Sequence, residues 1–188
     1  AQAAGCDAIV AEGFEAGGHN GKEETTTLVL IRQLADVLQI PLIAAGGIAS
    51  GEQMAAVMAM GADGVQVGSA FAVAKESSAH EAFKKAVFES KEGETKLFMR
   101  KLSPTRLLKG AFFDQISKAE AEGASAEELL QIIGVGRTKK GMFEGNLEEG
   151  ELEIGQVASM LNEEKSVEEI FESFRQGFAK AKERIQQM

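Results

Sequence analysis

The chain has 188 residues, with 20 Lys and Arg against 29 Asp and Glu, so its formal net charge is −9. Its 44% hydrophobic and 26% charged content is that of a globular protein and excludes wholesale disorder. The acidic balance argues against nucleic acid, which binds through Lys and Arg, and no apolar run or signal-peptide pattern points to a membrane. One cysteine and two histidines disfavour a disulfide framework or a zinc site and fit a reducing cytoplasm.

The first 70 residues predict three strand–loop–helix units. Short apolar runs predict buried strands at 7–11, 41–45 and 64–67. The tail of a helix ending at Gly5 precedes the first strand, and leucines and isoleucine at helical spacing predict a helix over 26–38 after it. Ser50 and Gln53 form a capping box that opens the next helix. This alternation is typical of βα units in a parallel α/β sheet.

The second half predicts helices. They are expected over 79–88, 104–122, 126–133 and 150–161 and from Ser166 to the end, while 95–101 is either a strand or a connector. The last helix carries one apolar stripe, formed by Val167, Ile170, Phe171, Phe174, Phe178 and Ile185. We expect it to dock onto the body of the protein rather than onto a membrane or a partner. Residues 1–75 are therefore expected to be the βα part and 76–188 a mainly helical region packed on it.

Three βα units are too few to close a barrel. An eight-stranded parallel barrel takes roughly 250 residues, and here only three units precede the helical region. We therefore expect the C-terminal part of such a barrel, as a fragment or as one piece of a larger assembly. Its sheet would have open edges and an uncovered apolar face carrying Ile9, Ile43 and Val65, which predicts self-association as a homo-oligomer.

Glycines follow all three predicted strands, as Gly17-Gly18, Gly46-Gly47 and Gly68. The carboxyl ends of parallel strands share one edge of the sheet, and ligands bind there. Glycine lets the backbone approach a phosphate closely, and free backbone N–H groups can donate to it. The three clusters together predict a phosphate site, with backbone dipoles rather than lysines holding the anion.

His19 follows the first glycine pair and is the candidate catalytic residue. Imidazole titrates near neutrality, so His19 could remove a proton from carbon in a bound substrate, or it could be an ordinary solvated side chain. Glu12 and Glu15 flank the same loop as ligand contacts or solvated charges, and we favour a solvated charge for Glu15. Cys6 is interpreted as a small core residue and His80 as a surface helix residue. The segment Gly134-Val135-Gly136-Arg137 lacks the third glycine of a dinucleotide fingerprint.

Three segments in order resemble the nitronate monooxygenase family, formerly called 2-nitropropane dioxygenase, which includes flavin-dependent enoyl-acyl-carrier-protein reductases. They are Glu12-Gly13-Phe14-Glu15-Ala16-Gly17-Gly18-His19, Ala44-Ala45-Gly46-Gly47-Ile48 and Gly64-Val65-Gln66-Val67-Gly68-Ser69. A fourth segment, Gly150-Glu151-Leu152-Glu153-Ile154-Gly155-Gln156, is similar to the family's C-terminal Gly-Gln segment. The resemblance runs over most of the chain.

The resemblance implies a TIM barrel that binds FMN without covalent attachment, with these motifs on its last three strands. It implies that the flavin is bound by Gly17, Gly18, Gly46, Gly47, Gln66, Val67, Gly68 and Ser69. It also implies that His19 is the catalytic base. Ser69 stands where the family often has threonine, which also offers a hydroxyl, and Asn20 replaces a frequent arginine or apolar residue, which leaves the choice of substrate open.

The resemblance leaves three functions open. A nitronate monooxygenase would oxidise alkyl nitronates or nitroalkanes, which are small molecules, with O₂. An enoyl-acyl-carrier-protein reductase would use FMN to pass hydride from NAD(P)H to an acyl double bond. The third alternative is a catalytically inert fragment with an oligomerising or folding role. We favour the monooxygenase.

Overall fold

The computed structural model describes residues 1–188 and contains two three-stranded sheets flanked by helices. The strands are β1 (Ile9–Glu12), β2 (Gly18–His19), β3 (Leu42–Ala45), β4 (Gly64–Gln66), β5 (Thr95–Phe98) and β6 (Thr105–Leu108). The α-helices are α1 (Thr27–Ala35), α2 (Gly51–Ala59), α3 (Ser69–Ala72), α4 (Glu81–Phe88), α5 (Ala111–Ala121), α6 (Ala126–Ile133) and α7 (Val167–Gln186). Short 3₁₀ helices lie at Gln2–Ala4 and Gln156–Met160, and a π-helical turn at Lys139–Phe143.

The parallel sheet has the order β1-β3-β4, which confirms the predicted parallel strands. Its register aligns Ala11 with Ala44 and Val65, and this face packs against the helices as the main core. The other face carries Val10, which is 50% exposed, beside Ile43. Since paired residues share a face of a sheet, Ile9 and Val65 lie on the covered face, and the expectation that they line the uncovered one is wrong.

Helix α7 docks on α2, as its apolar stripe predicts. Ile170 and Phe174 are buried in the main core, whereas Phe171 and Ile185 from the same stripe are more than half exposed. The two helices approach closely at Gly51 and Gly177, because a Cβ atom at Gly51 would overlap the carbonyl oxygen of Phe174. The closest contact of the two helices thus depends on two glycines.

The second sheet is antiparallel, with the order β2-β6-β5, and it corrects two predictions. The predicted helix over 104–122 is wrong in its first part, because Thr105–Leu108 is a fully buried strand and α5 begins only at Ala111. β6 pairs on both sides, with β2 and with β5, and these pairings outweigh its local helical pattern. The predicted helix over 150–161 is also wrong: Glu153 forms an antiparallel bridge with Leu107, and only a 3₁₀ helix follows.

The remaining predictions concern the N-terminal turn, Cys6, the boundary near residue 75 and the membrane. The N-terminal turn ends at Gly5 in a left-handed conformation, as predicted for a helix end. Cys6 is exposed, so its interpretation as a core residue is wrong. The division near residue 75 stays a prediction, and β2 pairs with β6 across it. None of the helices is both long enough and apolar enough to cross a bilayer.

Candidate functional site

A cavity of about 220 Å³ lies at the carboxyl ends of β1, β3 and β4. Six of the predicted ligand-binding residues line it: Gly17, Gly46, Gly47, Gln66, Gly68 and Ser69. Two others do not, because Val67 packs in the core and Gly18 is buried behind Glu153. No lysine, arginine or histidine lines the cavity. An anion bound here would therefore be held by backbone N–H groups and hydroxyls.

The floor of the cavity is a glycine turn after β3. Gly46 and Gly47 have positive φ angles of 87° and 71°, a conformation that other residues rarely adopt. A Cβ atom at Gly46 would lie 2.6 Å from the carbonyl oxygen of Gly13. Glycine is needed at Gly46 both for its backbone conformation and for the close approach of the neighbouring loop.

The segment Gly150–Gln156 closes one side of the cavity. Gly17 lies so close to this segment that a Cβ atom there would be 2.6 Å from the backbone nitrogen of Gly155. Ser69 Oγ accepts a hydrogen bond from Gly155 N at 3.0 Å, and Gln156 N donates to the Glu15 carbonyl at 2.9 Å. The Ser69 hydroxyl therefore fastens the segment and keeps its own hydrogen available to donate.

The two glutamates of the first loop have different roles. Glu15 accepts hydrogen bonds from Thr27 N at 2.9 Å and from Thr27 Oγ1 at 3.0 Å, so it caps the start of α1. The prediction that Glu15 is a solvated charge is therefore wrong. The Glu12 side chain lines the cavity, where partial burial raises the pKa of its carboxyl. Glu12 is thus placed to contact a ligand.

His19 is exposed and is not among the residues that line the cavity. Its backbone position is set by β2, where His19 pairs with Thr105 of β6. The amide nitrogen of Asn20 donates to the carbonyl oxygens of Ala16 and Gly18, which holds the turn that precedes His19. The Asn20 Oδ1 atom is buried and has no hydrogen-bond partner.

A buried arginine anchors the same loop from β6. The Arg106 guanidinium donates to the carbonyl oxygen of Phe14 through Nε at 3.2 Å and Nη2 at 2.8 Å. Its Cζ atom lies 5.1 Å from the centre of the Phe14 ring, so the cation also rests on an aromatic face. Burial lowers the pKa of Arg106, while Glu15 and Glu24 act to raise it.

Sequence reasoning missed three residues around the cavity. Glu153 and Met142 line it, and Arg106 supports its loop. The resemblance of Gly150–Gln156 to a family segment was the available signal for Glu153. Nothing in the local sequence marks Met142 or Arg106, because both reach the site through long-range packing.

The geometry defines an α/β protein with a small, glycine-walled cavity at the carboxyl edge of a parallel sheet, a position typical of enzyme active sites. The sequence profile described as "Nitronate monooxygenase" matches residues 1–177. The chain belongs to the nitronate monooxygenase family, and this membership supports an oxidoreductase.

Individual relatives agree with this assignment. A probable nitronate monooxygenase of Staphylococcus aureus is 41% identical over 130 residues, which cover 63% of this chain and 36% of the relative. FabK from Thermotoga maritima superposes with a TM-score of 0.91 at 36% identity, over 98% of this chain and 58% of that one. A nitroalkane oxidase from Streptomyces ansochromogenes gives a TM-score of 0.78 at 30% identity, over 98% and 55%. The chain thus spans only about a third to three fifths of these proteins.

Proposed function

We propose that this chain is part of an FMN-dependent oxidoreductase of the nitronate monooxygenase type, which oxidises alkyl nitronates or nitroalkanes with O₂. The observation that carries the proposal is the cavity at the ends of β1, β3 and β4, which is lined by six of the residues that the resemblance assigns to flavin binding. We take these three strands to be the last three of a TIM barrel whose other strands lie outside this chain.

The residues at the cavity fit FMN at two places. The phosphate would be held by backbone N–H groups near Gly47 and Gly68 and by the Ser69 hydroxyl. The Gln66 amide is a further neutral donor that lines the cavity. The carboxyls of Glu12 and Glu153 repel a phosphate, but they can accept hydrogen bonds from the hydroxyls of a ribityl chain. FMN, when bound, supplies the two-electron chemistry that no side chain can supply.

His19 supplies the proton chemistry in this proposal. It would accept the proton from the carbon next to a nitro group, which converts a neutral nitroalkane into a nitronate. Its exposed imidazole lies on a strand that pairs with β6, two residues after Gly17, which lines the cavity. Gly17, Gly46 and Gln66 line the cavity and complete the proposed flavin contacts, whereas Gly18 and Val67 lie away from it.

The second candidate is an FMN-dependent enoyl-acyl-carrier-protein reductase that uses NAD(P)H. It is favoured by the superposition on FabK, which has a TM-score of 0.91. The superposition on the nitroalkane oxidase has a lower TM-score of 0.78. Both candidates use the same flavin site, so the cavity supports them equally.

The test is to purify the complete enzyme and measure two reactions side by side. One assay follows O₂ consumption with a nitroalkane and with its preformed nitronate, and the other follows NAD(P)H oxidation with an enoyl thioester. We expect flavin absorbance and nitronate-dependent O₂ consumption. Turnover of the enoyl thioester alone would establish the second candidate, and the absence of flavin would favour an inert protein.

A further inference from the structure

A pair of carboxyl groups lies behind the wall of the cavity. Glu151 is only 6% exposed, and Glu153 is half-buried and lines the cavity. The hydroxyl oxygen of Thr138 lies 3.1 Å from Glu151 Oε2 and 3.0 Å from Glu153 Oε1. Neither carboxyl forms an ion pair with a lysine, arginine or histidine.

Counting protons shows that both contacts cannot be made by two ionised carboxyls. The Thr138 hydroxyl has one hydrogen and can donate it to only one of them. The other contact is a hydrogen bond only when that carboxyl is protonated and donates to the Thr138 oxygen. Since a buried carboxylate without a cation is costly, the more buried Glu151 is the group that keeps the proton.

The charged groups around Glu151 agree with this assignment. Burial raises the pKa of the Glu151 carboxyl above its ordinary value, and the negative charge of Glu153 raises it further. A hydrogen bond donated by Thr138 would lower this pKa, as do the charges of His19 and Arg137, but these effects do not cancel the rise.

Glu153 connects the pair to the cavity. Its Oε2 atom lies 2.8 Å from the position that a Cβ atom on Gly18 would take, so the carboxyl rests against the Gly18 backbone. On its other side the Glu153 side chain faces the cavity, which it lines. Ionisation of Glu151 would therefore place a second negative charge behind the wall. The repulsion between the two carboxylates would push Glu153 towards the ligand.

We infer that Glu151 is a positioning residue of the cofactor site, which in its neutral form donates to Thr138 and keeps the pair of Glu151 and Glu153 at one negative charge. Its ionisation then weakens the binding of FMN, whose phosphate is an anion. This inference rests on the proposed function, because it takes FMN to be the ligand of the cavity.

The test is to titrate the complete apoenzyme with FMN at several pH values, following the quenching of flavin fluorescence. We expect wild-type affinity to fall by about tenfold as the pH rises through the titration of Glu151, the size of effect expected for one added charge at a partly buried site. Glu151→Gln keeps a neutral donor for Thr138, so its affinity should not show this fall. The FMN phosphate and every other ionisable group of the protein are the same in both, so the difference between the two isolates Glu151.

Glu149→Gln is the matched control, because Glu149 is an exposed glutamate paired with Lys140 at 2.9 Å. It should keep the wild-type pH dependence. If Glu151→Gln does not fold, Glu153→Gln replaces it and should move the fall to lower pH, because the negative charge that raises the pKa of Glu151 is then gone. The inference is overturned if the folded variant keeps the wild-type pH dependence, or if neither variant folds, since the pair is then needed for stability. An enzyme that binds no FMN at any pH overturns the proposed function itself.

Discussion

The Cβ position of Gly68 points into open space, with no protein atom within 4 Å, although Gly68 lies at the cavity. Its φ angle is −97°, so a side chain brings no backbone strain. If the FMN phosphate fills this space, Gly68→Val in the complete enzyme should weaken flavin retention by about tenfold or more through the clash alone. Visible absorbance after gel filtration measures flavin content, and thermal unfolding of the apoprotein should be unchanged.

Gly21→Val is the control for that prediction. Gly21 is exposed outside the cavity, and the nearest atom to its Cβ position is Glu23 Oε2 at 3.7 Å. The same change of residue should leave the flavin content unaltered there. Full flavin content in Gly68→Val would show that the phosphate lies elsewhere.

His19 is tested by comparing two substrates. In the complete enzyme, His19→Ala should lower turnover of a neutral nitroalkane by about 10²–10⁴-fold, the usual contribution of a general base. A preformed nitronate has already lost that proton, so its oxidation should survive better. Steady-state O₂ consumption measures both. Equal losses on the two substrates would assign His19 to binding instead of proton transfer.

His80→Ala is the matched histidine control. His80 Nδ1 accepts a hydrogen bond from Ala82 N at 3.0 Å and caps the start of α4. Its loss should cost about 0.5–2 kcal/mol of stability, as for other N-caps, without changing the ratio of the two activities.

At the scale of single elements, the start of α7 gives a prediction about pH. Glu169 Oε2 accepts hydrogen bonds from Ser166 N at 2.6 Å and Lys75 Nζ at 3.1 Å. The backbone bond from Ser166, followed by the bond from Lys75, lowers the pKa of Glu169 from 4.5 to about 2. A carboxyl whose pKa is lowered by folding stabilises the folded state at pH values above its unfolded-state pKa. It loses this effect as the pH falls through its folded-state pKa.

Glu169→Ala should therefore lower the midpoint of thermal unfolding at neutral pH, and the difference from wild type should shrink between about pH 4.5 and about pH 2. Glu168→Ala changes the neighbouring exposed glutamate, which makes no capping bond, and should have a smaller effect. The same unfolding difference at every pH would contradict a role for the ionised carboxyl.

The element predictions succeeded where the pattern is local. Helices α6 and α7 begin where they were predicted, and capping boxes at Ser125 and Ser166 open them, each between residues only three positions apart. β6 was missed for the opposite reason. Its buried Thr105–Leu108 has no alternating pattern, and its strand conformation comes from two partner strands far away in the sequence.

At the scale of the whole molecule, the parallel sheet has an uncovered face and two free edges. Val10 is 50% exposed beside Ile43, and β1 and β4 each have a neighbour on one side only. We expect the isolated 188-residue chain to self-associate and to retain little FMN, since a ligand held mainly at its phosphate leaves most of its ring in water. Sedimentation, with flavin quantified after gel filtration, measures both. A monomer with stoichiometric FMN would contradict this prediction.

Two lysine substitutions show which face drives that association. Val10→Lys places a charge on the open sheet face, and Val29→Lys places one on an equally exposed position of α1. Val10→Lys should reduce self-association, and Val29→Lys should not. The opposite result would assign the contact to the helical face.

The sequence by itself determined the parallel βα units, the docking of α7 and six of the residues around the cavity. These features follow from local periodicity, capping and glycine-containing turns, which act over a few residues. Only the tertiary structure decided the antiparallel sheet, the helix-capping role of Glu15 and the carboxyl pair behind the wall. The hydrogen bond from Arg106 to Phe14 joins residues 92 positions apart. No local pattern encodes such a contact, because its partners are chosen by how the whole chain packs.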